Sequence, residues 1–248
     1  MRSALLSGLA ALLVVPPHAL GQARSYDPES LYQEQSIHGF TVLVSQQVLA
    51  QAPAAADVRA ELVRQFGEVV EVMPAPAVSA LRKVRFWVEW SKRPDAGAEF
   101  HVSRGWLEKN GYNPAKAGGI EISNSLNFVN WSRAEQPCMV LHELAHAYHL
   151  LVLGDRHPEI AAAYRQAVER RSYESVDYSG GGKRQAYALV DEREYFAELS
   201  EAYFCRNDYY PFTRADLQQH DPAGYELLQH LWGKATNREA VALTSEKR

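Results

Sequence analysis

Apolar and polar positions alternate along Ile37 to Ser45 (IHGFTVLVS), a run rich in β-forming residues, which predicts a strand. From about Ala54 to Val72 the period changes. Val58, Leu62, Val63, Phe66, Val69 and Val70 recur at helical spacing, and Met73-Pro74-Ala75-Pro76 closes the helix they predict. Val84 to Trp90 is the strongest strand signal in the chain, and Phe100-His101-Val102 predicts a shorter strand after a Pro94 to Gly97 turn. Trp106 to Gly111 reads as a helical turn stopped by glycine. Gly118 to Asn124 is a short alternating strand entered through two glycines, and the pattern fits an edge strand and an internal strand equally. As an edge it would let an extended peptide add by main-chain hydrogen bonds.

Beyond residue 130 the pattern is mostly helical. Ser132-Arg133-Ala134-Glu135 has the form of a capping box, but Pro137 would fall in the second turn of that helix and remove a hydrogen bond. The long helix is therefore placed from Pro137, where proline suits a first turn, to Gly154, a fitting stop. A second amphipathic helix runs from about Pro158 to Arg171, with Ile160, Tyr164, Ala167 and Val168 on its apolar face. Tyr173 to Leu189 predicts a hairpin with its tip at Ser179 to Lys183. Those glycines lack the Gly-Lys-Ser/Thr ending of a phosphate loop. Asp191 caps a further helix through Phe204, and Thr213 and Asp221-Pro222 start two short ones whose Leu217, Tyr225, Leu227, Leu228, Leu231 and Trp232 belong to the core.

The ends of the chain change the picture. Arg2, the apolar run Ala4 to Val15 and the small residues after Pro17 predict a secretory signal peptide over residues 1–23. A polar, irregular leader (24–36), a single domain (37–233) and a polar tail (234–248) would follow. The expected location is secreted or periplasmic, with no integral membrane segment after signal removal, since no later stretch approaches about 18 apolar residues. With 26 basic and 30 acidic residues, and no basic run longer than two, neither a nucleic-acid partner nor a membrane-surface patch is indicated.

The candidate chemistry lies in the long helix. His142-Glu143-Leu144-Ala145-His146 is a His-Glu-x-x-His pattern, and residues four apart share a helix face, so both imidazoles can converge on one Zn2+ ion per chain. Glu143 lies beside that ion, where it can serve as general base toward a zinc-activated water. A catalytic zinc generally keeps three protein ligands, and the helix after Asp191 offers four glutamates for the third. Glu194 and Glu198 share a face; one can bind zinc while the other orients a histidine ligand. Glu194 also stands where a capping-box glutamate would. His149 points away from the ligand pair and reads as a helix-surface residue, while His101 has a structural or surface role and His220 and His230 need no function. Cys138 and Cys205 are the two cysteines of the chain, and export permits a disulfide between them that would staple the two helices.

His142-Glu143-Leu144-Ala145-His146 followed by Glu194-Tyr195-Phe196-Ala197-Glu198 resembles the catalytic domain of the anthrax lethal factor group of zinc metallopeptidases, within the wider thermolysin-like class. The resemblance covers about residues 118–206. It implies that Glu194 is the third ligand and Glu198 its support, and that Tyr187, seven residues before Glu194, stabilises the tetrahedral intermediate. The implied fold is α+β and zincin-like, a small mixed sheet packed on the His-Glu-x-x-His helix with a largely helical C-terminal part. The expected function is hydrolysis of a peptide or protein substrate. A zinc amidase acting on cell-wall peptide or another amide, and a non-catalytic secreted protein with a structural or vestigial zinc site, remain open alternatives.

Overall fold

The computed structural model describes residues 26–233. In chain order its elements are β1 (Tyr32–Ile37), β2 (Phe40–Ser45), α1 (Gln46–Leu49), α2 (Ala52–Val72), α3 (Ala75–Leu81), β3 (Arg85–Val88), β4 (Ala98–His101), α4 (Arg104–Lys109) and β5 (Gly119–Ile122). The second half holds α5 (Ser125–Ala134), α6 (Met139–Tyr148), α7 (Pro158–Glu169), β6 (Val176–Asp177), β7 (Lys183–Arg184), α8 (Glu192–Phe204), α9 (Arg214–His220) and α10 (Pro222–Trp232). The expected signal peptide and polar tail lie outside the described residues.

β1 to β5 form one mixed sheet in the order β1-β2-β3-β5-β4, with β2, β3 and β5 parallel and both flanking strands antiparallel. Strand alternation divides its side chains. Phe40, Val42, Val44, Phe86, Val88, Ile120 and Ile122 join the main core with Val58, Leu62, Phe66 and Val69 of α2 and Val140, Leu141 and Leu144 of α6. The opposite face carries a small cluster of Tyr32, Leu43 and Trp87. Beside it runs a buried charged chain in which Lys116 Nζ donates to Glu89 (2.6 Å) and Glu121 (2.5 Å), Tyr32 Oη donates to Glu89, and His101 Nε2 meets Glu121 at 2.7 Å. His101 is thus a buried partner of that chain.

Several expectations are corrected. The leader expected over 24–36 is not irregular throughout, because Tyr32–Ile37 is a strand paired with β2 along its whole length. The single strand expected over Ile37 to Ser45 is the end of β1, a two-residue turn at His38 and Gly39 with φ of 50° and 84°, and β2. Positive φ at both turn residues matches the twist of a tight hairpin. The strand expected at Gly118 to Asn124 lies inside the sheet, and the neighbouring edge is β4.

The helix expected from Pro137 starts at Met139, with Cys138 as its N-cap residue. Cys138 makes no side-chain cap bond. Instead Gln65 of α2 accepts from Val140 N at 2.8 Å and donates to Ser132 Oγ at 2.9 Å, joining the middle of α2 to the end of α5 and the start of α6. Ser132 to Glu135, which has the form of a cap, is the C-terminal end of α5, a helix started by Asn124 accepting from the amides of Leu126 and Asn127. After Tyr148 the helix continues to Gly154 as a wider π-helical turn. His149, the first residue of that turn, is fully buried against Phe196, where a surface position is expected. The Tyr173 to Leu189 segment forms a two-rung hairpin, but its far end, Tyr187–Leu189, is a 3-10 turn.

Candidate metal centre

α6 and α8 pack against each other and present their polar faces to one cleft. His142 and His146 stand one turn apart on α6. Asp191 Oδ1 caps α8 by accepting from the amides of Arg193 (2.8 Å) and Glu194 (3.0 Å), which fixes Glu194 in the first turn with its side chain directed to the histidines. Three donor atoms meet there. His142 Nε2 is 3.1 Å from His146 Nε2 and 3.1 Å from Glu194 Oε2, and His146 Nε2 is 3.3 Å from the same oxygen.

Zinc bonds of about 2.0–2.1 Å in tetrahedral directions space neighbouring ligand atoms about 3.3 Å apart. The donor triangle fits that ion in size and in chemistry, two imidazole nitrogens and one carboxylate oxygen. Among the described residues no fourth histidine, cysteine or carboxylate belongs to the triangle, and both cysteines are joined in a disulfide. The three donors line a cleft of about 450 Å³.

Electrostatics follow the same geometry. Burial drives the Glu194 carboxyl upward, but the bonds to His142 and His146 outweigh it and hold its pKa down to about 2. Burial pulls the His142 imidazole down, and hydrogen bonds to Glu194 and Glu201 overcome it, raising its pKa well above the usual value. Positive charge is therefore favoured among these groups, as a metal ion or a proton would supply it.

Glu143 lies on α6 next to His142, buried and lining the same cleft as the triangle. Burial raises its pKa, against the pull of both imidazoles and of a hydrogen bond from the Phe100 backbone on β4. Tyr187 lines the cleft from the 3-10 turn, half-exposed, its ring centroid 6.4 Å from that of His142. β4 forms the rim through Ala98, Glu99 and Phe100, and among the described residues it pairs only with β5. A Cβ on Gly97 would meet Met139 Sδ and Trp131 Cε3 at 3.0 Å, so a larger residue there would need these side chains to give by a few tenths of an ångström.

Behind the triangle the placement differs from the expected support by Glu198. His142 Nδ1 is 2.6 Å from Glu201 Oε1 and 3.8 Å from Glu198 Oε1. Glu198 instead accepts from Asn207 Nδ2 at 3.2 Å. Burial raises the pKa of both carboxyls, with the charge of Glu201 adding at Glu198 and those of Asp208 and Glu143 adding at Glu201, which reaches about 7. Asp208, raised first by its burial, joins them on the cleft wall with Tyr178 and Tyr209. Glu201 had a sequence signal: Glu194, Glu198 and Glu201 fall at i, i+4 and i+7 on one helix face. Asp208, Tyr178, Tyr209, Trp131 and Met139 had none, since loops and separate elements bring them to the cleft.

Cys138 and Cys205 are bonded, with 6.4 Å between their Cα atoms, tying the start of α6 to the end of α8. None of the described helices is long and apolar enough to cross a membrane. In comparisons with protein-family models, with curated proteins and with solved structures, no match to this chain was found.

Proposed function

We propose that this protein is an exported zinc metallopeptidase of zincin-like architecture that hydrolyses peptide bonds. The observation that carries the reading is the donor triangle of His142, His146 and Glu194, of tetrahedral-zinc dimensions and open on one side to a cleft. A structural zinc is usually closed by a fourth protein ligand, so the open side favours catalysis. The cleft has an extended rim at β4, where a peptide can add as a further strand, which favours a peptide over a small amide. The Cys138–Cys205 bond supports export, since disulfides persist in oxidising compartments.

His142, His146 and Glu194 would hold the zinc, which when bound would supply the Lewis acidity that activates a water and polarises a carbonyl. Glu143 accepts the proton of the attacking water and passes it to the leaving amine. Its burial suits this role, because a raised carboxyl pKa lies nearer the working pH. Tyr187 donates its phenol proton as a hydrogen bond to the developing oxyanion. Its pKa is raised, by burial first and by Glu194 second, so the phenol keeps the proton it must share. The test is Glu143→Gln in the full chain, assayed on a peptide library. Zinc content should stay at the wild-type level while turnover falls by at least ~100-fold; a variant that still cleaves at the wild-type rate would remove Glu143 from the mechanism.

A further inference from the structure

Two buried carboxylates compete for the back of His142, and they are not equivalent. Glu201 Oε1 lies 2.6 Å from Nδ1, within a short charge-assisted hydrogen bond, whereas Glu198 Oε1 is 3.8 Å away and its other oxygen is occupied by Asn207. Both sit on α8 with 5% exposure or less, so no solvent substitutes for either contact. The difference follows from helix geometry. Glu194 in the first turn reaches Nε2 of His142, and Glu201, two turns further along the same face, reaches the opposite ring nitrogen. One helix thereby holds one imidazole at both ends.

We infer that Glu201 is the residue that positions His142 for metal binding, with Glu198 a buried neighbour that leaves the ring orientation unchanged. The inference rests on the proposed zinc site. Accepting the Nδ1 proton fixes the protonation pattern that leaves Nε2 with a free lone pair toward the ion, and fixes ring rotation about the Cβ–Cγ bond. A carboxylate in that position also raises the basicity of the ligand. Glu201 lies outside the donor triangle of His142, His146 and Glu194, so its proposed effect on the metal runs through His142.

The test compares wild type, Glu201→Gln, Glu201→Leu and Glu198→Gln as full chains, with zinc affinity measured by competition against a chromophoric chelator. A second readout, independent of zinc, is the imidazole Nδ1 proton of His142 in the metal-free chain. Bonded to a buried carboxylate, that proton gives a far-downfield resonance in slow exchange with water. Glu201→Gln, which keeps an acceptor without the charge, should lose about tenfold in zinc affinity, and Glu201→Leu about 100-fold with loss of the resonance. Glu198→Gln should stay within about threefold and keep it. Cooperative thermal unfolding of each variant separates these effects from misfolding. Wild-type affinity and an intact resonance in Glu201→Leu would overturn the inference, as would a loss in Glu198→Gln equal to that in Glu201→Leu. Failure of the wild-type chain to bind zinc would instead remove the zinc reading, and the resonance would still decide whether Glu201 holds His142.

Discussion

Lys116 shows how much a single residue carries away from the candidate centre. Its ammonium is 2% exposed and bridges Glu89 and Glu121 behind the sheet. Removing the lysine charge leaves two buried carboxylates with only His101 beside Glu121 and the more distant Lys92 near Glu89 as basic neighbours, which is costlier than never having buried the group. Lys116→Met should destabilise the fold by about 3–5 kcal/mol in urea unfolding, despite filling the same space. A loss under about 1 kcal/mol would show that the carboxylates find other partners.

His149 gives a second prediction at this scale. Burial first, then the charges of His146 and Arg193 and of His157, lower its pKa to about 4, with Asp155 opposing. The unfolded chain takes up the proton near pH 6.5 and the folded chain only near 4. Stability is therefore complete above the unfolded value and falls as the pH drops through this window, by up to about 1.4 kcal/mol per pH unit. Neither ring nitrogen has a hydrogen-bond partner. His149→Leu should flatten the stability curve between pH 6.5 and 4 without loss at pH 7; an unchanged slope in the variant would assign the dependence to other groups.

Among individual residues, legibility in the sequence followed local spacing. His142, Glu143 and His146 were readable because helix periodicity and a named motif place them, whereas Glu194 was singled out from its neighbouring glutamates only by the family resemblance; the structure brings all four to one cleft. Glu201 lay on the same periodic face but had no motif to single it out. His149 was not readable as buried because what covers it, Phe196 of α8, is distant in sequence.

At the level of elements, α6 and α8 are fastened twice: by the packing of their apolar faces and by the Cys138–Cys205 bond across a sequence separation of 67. Closing a loop of that length restricts the unfolded chain by about 4 kcal/mol, less whatever structure the reduced chain retains. The double variant Cys138→Ser/Cys205→Ser should lose about 2–4 kcal/mol in denaturant unfolding and keep its zinc stoichiometry. Loss of zinc at full stability would mean that the disulfide acts on the ligand geometry instead.

Element boundaries were legible where the capping was local, as at Asp191, Thr213 and Asp221. They were not where a distant side chain does the capping. The start of α6 depends on Gln65, 75 residues earlier, so no nearby residue marks it. β1 was hidden for a different reason: as an edge strand its Gln33, Glu34 and Gln35 are not buried, and the hydrophobic alternation that marks a strand is missing.

For the whole molecule, the mixed sheet, the α6 and α8 pair and the helical C-terminal part form an α+β arrangement in which β4 and the Tyr187 turn border one cleft. On the proposed reading, a zinc ion in the triangle would join α6 to α8, and an ion that binds only the folded chain stabilises it by about 2.7 kcal/mol at 100 times its Kd. The most direct test of the account is the zinc bound per chain by wild type and by Glu194→Ala after purification under identical conditions. The account predicts one zinc per wild-type chain and almost none in the variant; a wild type without zinc, or a variant that holds it equally well, would contradict it.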